Sequence, residues 1–170
     1  MDRRRLVGSF AFGIGLAALA GPAAAAGSTE AGSAAASRAL AEGFAAALSA
    51  HDLAAFAALY AEDYAQHQTL AGPAPHSGAS AKAAAVAYFA ARLKALPDLA
   101  VSAGPILATA DMVAANFVYT GTQTGAYFGV PASGRRVTFN STDILRVRGG
   151  RFTEHWGAVD LHGLLAQMRG

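Results

Sequence analysis

Residues 153–160, Thr-Glu-His-Trp-Gly-Ala-Val-Asp, gather Glu154, His155 and Asp160 around the only tryptophan of the chain, Trp156. Just upstream, Ser141 and Asp143 lie on another strand-like segment. A carboxyl or imidazole in an apolar cavity can act as a general acid or base. The candidate proton carriers are therefore Asp143, His155 and Asp160. Tyr64, His67, Ser141, Tyr119 and Trp156 are the candidate pocket walls. Each residue also has a plainer reading. Asp143 could be a surface carboxylate paired with Arg146 or Arg148, Asp160 could cap the helix that follows it, and His155 could be an ordinary strand residue. His67 could do no more than bridge backbone where a helix ends. His51, His76 and His162 are assigned no role. No two histidines have the His-x-x-x-His spacing of a helical metal site, and no metal site is expected.

These groups must be positioned by the hairpin "RGGR" at 148–151, whose Gly149-Gly150 can take the positive φ values of a type I′ turn. With that turn Arg148 pairs with Arg151. Regular counting then sets Asp143 opposite Trp156, Ser141 opposite Ala158 and Leu145 opposite Glu154. One face holds Phe139, Ser141, Asp143, Leu145 and Val147 with Phe152, Glu154, Trp156, Ala158 and Asp160, apolar with embedded carboxylates. His155 falls on the other, wetter face unless a bulge intervenes, and Gly157 is the natural place for one.

Further out, helical spacing runs from Ser37 to Leu48 through Leu40, Phe44 and Ala47. His51-Asp52 breaks and caps, and Leu53, Phe56, Leu59 and Tyr60 continue as a second helix. Gly and Pro content makes residues 69–80 a loop. Ser80 can cap a third helix that reaches about Leu96 before Pro97. Residues 99–109, 112–124, 135–148 and 151–159 are strand-like, and Leu161 to Met168 reads as a short terminal helix. Helices followed by long antiparallel strands give an α+β fold, a curved antiparallel sheet wrapped on N-terminal helices. Such a sheet leaves a pocket between itself and the helices.

Of the 13 Lys and Arg, Arg3, Arg4 and Arg5 lie in the first 26 residues, as does Asp2 of the 11 acids. The remainder carries ten of each sign, which argues against nucleic acid as a partner. Cysteine is absent, which excludes disulfides, thiol catalysis and thiolate metal sites. Residues 1–26 have the layout of a signal peptide: the arginines, an apolar run from Leu6 to Ala20, then Gly21, Pro22 and small residues through Ala26. The run is shorter than the roughly 20 residues that span hydrocarbon, so no stable membrane anchor is expected after cleavage. "DRRRLV" fits a loose twin-arginine pattern, so the protein is expected to be exported, periplasmic or secreted, by a route left open. Residues 27–36 form a flexible lead-in, and 37–170 form one domain, compatible with a monomer or a homodimer.

"YAEDYAQH", "LPDL", "YTGTQTGAYFGVPASGRRVTF" and "DILRVRGGRFTEHWGAVDLHGLLAQM" together resemble the SnoaL-like family of polyketide and ester cyclases, over about residues 37–169. The resemblance implies a cone-shaped α+β barrel, the nuclear transport factor 2-like fold shared with ketosteroid isomerase. It also implies intramolecular aldol ring closure of polyketide esters with no cofactor. Aligned on these motifs, the acid–base aspartate of the characterised cyclases falls on Gly157, and their Gln-x-His falls on Ser141-x-Asp143. That alignment places positions 143 and 157 in one cavity and so favours a bulge near 155–157.

Two functions follow. One is an exported enzyme using Asp143 or His155 for proton transfer on a small apolar carbonyl compound. The other is a non-catalytic binder of a small hydrophobic ligand, favoured by glycine at 157. Epoxide hydrolysis, which wants an Asp–Arg–Asp set, would draw on Asp143, Arg146 and Asp160, and ranks last because Arg146 falls on the other face.

Overall fold

A computed structural model describes residues 32–67 and 78–170. The expected signal peptide lies outside the described residues, and so does the expected loop as far as residue 77. The described elements are α1 (Ala34–Ser49), α2 (Leu53–Ala58), β1 (Tyr60–Gln66), α3 (Gly78–Ala95), β2 (Ala100–Ala108), β3 (Met112–Thr122), β4 (Arg136–Arg148), β5 (Arg151–Val159) and α4 (Leu161–Arg169). The fold is α+β, with one curved five-stranded sheet in the order β1-β5-β4-β3-β2. Among the described residues no helix is long and apolar enough to cross a membrane.

The helix ends are set by small polar residues. Ser33 caps α1 by accepting from the Ala36 N–H at 3.0 Å, so the helix starts inside the stretch expected as a lead-in. His51 takes a positive φ of 56° and ends the first helical run, and Asp52 caps α2 through the Ala55 N–H at 2.8 Å. Helix α3 begins at Gly78, ahead of the expected cap at Ser80.

The second helix is shorter than its spacing suggests. Tyr60 and Tyr64 are four apart, as on a helix face, yet both belong to β1, which runs parallel to β5 with Tyr60 opposite Phe152 and Gln66 opposite His155. The sheet is thus antiparallel at every pairing except this one. The pairing turns β5 from an edge strand into an interior one, so the strand bearing His155 is held on both sides.

Helices α1, α2 and α3 cover one sheet face and bury Phe44, Phe56, Phe89 and Phe117 together, with ring centroids 4.5–5.4 Å apart. Truncating one such ring to alanine typically costs about 3–5 kcal/mol. Buried Ala41 and Ala45 let the α1 backbone approach closely, which is how an alanine-rich chain still packs densely. The buried stripe of α3 reads Ala81, Ala85, Phe89, Arg92, with Leu96 just beyond it. One member of that stripe is a cation.

Candidate active site

The hairpin forms as its glycines require, with φ of 56° at Gly149 and 68° at Gly150 and Arg148 opposite Arg151. Regular alternation then fails at Thr153. Phe152 and Thr153 are both buried, and the register steps from Val147↔Phe152 to Arg146↔Glu154, leaving Thr153 without a partner. This bulge reverses every later side chain of β5 relative to simple counting. Asp143 stands opposite Gly157, Ser141 opposite Val159 and Leu145 opposite His155. A bulge is present, then, but at Thr153 and not near Gly157.

The inner face therefore carries His155 together with Asp143. Their Nε2 and Oδ1 atoms are 2.9 Å apart, at 6% and 3% exposure. Ser141 donates its hydroxyl proton to the other carboxylate oxygen at 2.7 Å. The Tyr119 hydroxyl lies 3.4 Å from Ser141 Oγ and is left to donate into it, because the serine has only one proton to give. Asp143 is thus fixed through both oxygens. A carboxylate on one ring nitrogen sets the tautomer of a histidine and balances the positive charge that a second proton brings.

These groups line a cavity of about 20 Å³ with Gln66, Ala85, Tyr88, Phe89, Arg92 and Val159. That is room for a group the size of a water molecule, so only a small reacting group fits beside the pair in this conformation. Arg92, 2% exposed, donates from Nε to the Tyr127 hydroxyl and from Nη2 to the Tyr88 hydroxyl, both at 2.9 Å. Its guanidinium carbon sits 4.4 Å from the Tyr119 ring centroid and 4.7 Å from that of Phe89, a cation–π cage. Burial acts to lower the Arg92 pKa, but Tyr127, Tyr119 and Tyr88 outweigh it and hold the group above its ordinary value.

The tyrosines register the same environment. Burial raises the Tyr64 pKa well above the usual phenol value, and the charge of Asp143 adds to it. Tyr119 is raised by burial, against the lowering effect of Arg92. Tyr127 is pushed up to about 12, burial again outweighing Arg92. Tyr64 itself is buried and donates to Gln66 Oε1 at 3.0 Å, one step back from the cavity wall.

Three expected site residues are elsewhere. Trp156 lies opposite Ile144 on the outer face, because the bulge at Thr153 turns it there, and it stacks on His67 with ring centroids 4.5 Å apart. His67 bonds Glu154 at 2.9 Å, and Glu154 also pairs with Arg146 at 2.7 Å, so these four form an outer-face cluster. Glu154, assigned by counting to the inner face, is lowered in pKa chiefly by the His67 contact. Asp160 is exposed and caps α4 through the Gly163 N–H at 2.8 Å. An Asp143–Arg146–Asp160 set for epoxide opening therefore does not exist.

Gln66, Ala85, Tyr88, Phe89, Arg92 and Val159 are the cavity residues that sequence reasoning passed over. Arg92 gave a signal, since it occupies a core position of the α3 stripe where a cation is out of place. Gln66 gave none, because its strand reads as the end of a helix.

The model of the SnoaL-like polyketide cyclase family matches residues 38–168. No curated protein sequence matches the chain. Among solved structures, AclR from Streptomyces galilaeus, assigned provisionally as a hydroxylase, superposes with a TM-score of 0.70 at 28% identity, covering 81% of this chain and 83% of its own. TsrD from Streptomyces laurentii gives 0.66 at 29% identity, covering 79% and 95%. IdmH from Streptomyces antibioticus, provisionally a polyketide cyclase, gives 0.64 at 27% identity, covering 78% and 98%. With the family pattern spanning nearly the whole described domain and the fold agreeing, the chain belongs to the SnoaL-like polyketide cyclases.

Proposed function

We propose that this protein is an acid–base enzyme of the cyclase type that acts, without a cofactor, on a small apolar carbonyl compound. The observation that carries this reading is the buried Asp143–His155 pair inside an aromatic-walled cavity. In it the imidazole takes a proton from carbon next to a carbonyl, Asp143 balances the resulting charge, and the same imidazolium returns the proton. Positioned groups of this kind supply about 10²–10⁴ in rate. The family membership supports a cyclase- or isomerase-type reaction, and the small cavity favours a compact reacting group over a multi-ring one.

The test is exchange of solvent deuterium into small ketones and β-diketones, followed by NMR. The wild-type chain should accelerate exchange, and Asp143→Asn should lower that acceleration about 10²-fold or more. Exchange no faster than in buffer across the panel would overturn the reading. The binder alternative rests on Gly157, which faces Asp143 where the resemblance places the aspartate of characterised cyclases. It gains if apolar ligands bind with no exchange. Export is part of the proposal: in the native host the mature chain should begin close to Gly27, and an intact Met1 in the cytoplasmic fraction would refute it.

A further inference from the structure

Arg92 poses a problem that its own contacts do not solve. A buried cation is costly unless it is paired and fully hydrogen-bonded. Nε and Nη2 have phenol oxygens, but Nη1 is buried with no hydrogen-bond acceptor among the described residues. No carboxylate lies within ion-pair distance of the guanidinium among the described residues. The surrounding rings of Tyr88, Phe89, Tyr119 and Phe139 favour a cation, and the Tyr119 hydroxyl feels the guanidinium, yet Nη1 has no well-formed hydrogen bond among the described residues. Arg92 also lines the cavity that holds Asp143 and His155.

We propose that Arg92 Nη1 is the docking point for an anionic oxygen, and that the cavity therefore selects compounds that present a carboxylate or enolate oxygen to it. This substrate class rests on the acid–base reading above. When His155 removes a proton from carbon, the C–H electron pair forms a carbon–carbon double bond and the C=O π pair moves onto the carbonyl oxygen, which gives an enolate anion. The proton is then on the imidazole and the negative charge is on an oxygen held by Arg92. Nothing else is consumed. A fixed cation in a water-poor cavity stabilises developing charge there without reorganisation, which is how such donors lower a barrier. A neutral apolar ligand would leave Nη1 as it stands.

The test uses the full chain and the smallest matched probes, formate against neutral formamide, with sodium chloride at the same ionic strength as control. Calorimetry should show saturable formate binding at least tenfold tighter than formamide. The guanidinium nitrogen signals of Arg92 should shift with formate and not with chloride. Arg92→Met, an apolar chain that packs well among aromatic rings, should lose the formate preference. Should that variant fail to fold, the wild-type NMR shifts decide the matter alone. Equal affinity for formate and formamide, equal response to chloride, or retained preference in Arg92→Met would overturn the proposal. Deuterium exchange separates the two claims: exchange intact with no formate binding overturns only the role of Arg92, while formate binding without exchange overturns only the acid–base reading.

Discussion

Asp143 and His155 meet at 2.9 Å across neighbouring strands, diagonally, since the direct partners are Asp143 with Gly157 and His155 with Leu145. Diagonal neighbours on one face are close enough for long side chains to touch. Thr153, the unpaired residue between the hairpin tip and His155, is what brings the two onto one face.

Because they share one hydrogen bond, their contributions to turnover should not add. Asp143→Asn and His155→Gln should each lower deuterium exchange about 10²-fold or more, and the double variant should be little worse than either. Two losses that multiply would show that the residues act separately.

Trp156 should be dispensable for turnover. It stacks on His67 outside the cavity, so Trp156→Phe should leave exchange within about twofold and cost less than about 1 kcal/mol. A tenfold fall in rate would place the indole in the site after all.

Asp160 should matter for stability alone. Asp160→Ala removes the cap on α4 and should cost about 0.5–2 kcal/mol in denaturant melts, with the exchange rate per folded molecule unchanged. An unchanged midpoint with impaired turnover would reverse that assignment.

Alkaline unfolding should follow the buried phenols. Tyr60, Tyr64, Tyr119 and Tyr127 all have pKa values raised chiefly by burial. A raised pKa means the folded state holds the proton more tightly, so the associated stability is intact below the unfolded value of 10.0 and fades as pH climbs from there. For Tyr127 the window closes near pH 12. Phenolate absorbance from these residues should therefore rise together with loss of circular dichroism. Full ionisation of all five tyrosines in a chain with native dichroism would contradict it.

Strands β2 to β5 were legible because Val, Ile, Phe and Thr cluster in them, and the Gly149-Gly150 turn could be placed because only glycine takes both positive φ values readily. The cavity face was not legible by counting. A bulge at Thr153 leaves no mark in residue type, and Gly157 was the more conspicuous place for one. One unmarked residue moved Trp156 and Glu154 outward and His155 inward. Strand β1 was hidden by Tyr60 and Tyr64, whose spacing suits a helix, and parallel pairing with β5 is a long-range choice that local periodicity does not encode. The family alignment set 143 and 157 together, and the register agrees to the extent that Asp143 stands opposite Gly157, though the bulge that it favoured near 155–157 lies at Thr153.

Gly157 faces Asp143 across a single rung of the β4–β5 ladder, on the side that looks into the cavity. Inheritance alters residues one at a time, but a cavity responds to a chemical group wherever it is anchored. A carboxylate given up on one strand is replaceable from its neighbour, about 5 Å away, while the helices and the aromatic walls stay as they are. Descendants of one ancestor can thus move the anchor of a carboxylate and keep the vessel. Matching acidic residues position by position would then split apart chains whose chemistry has stayed the same.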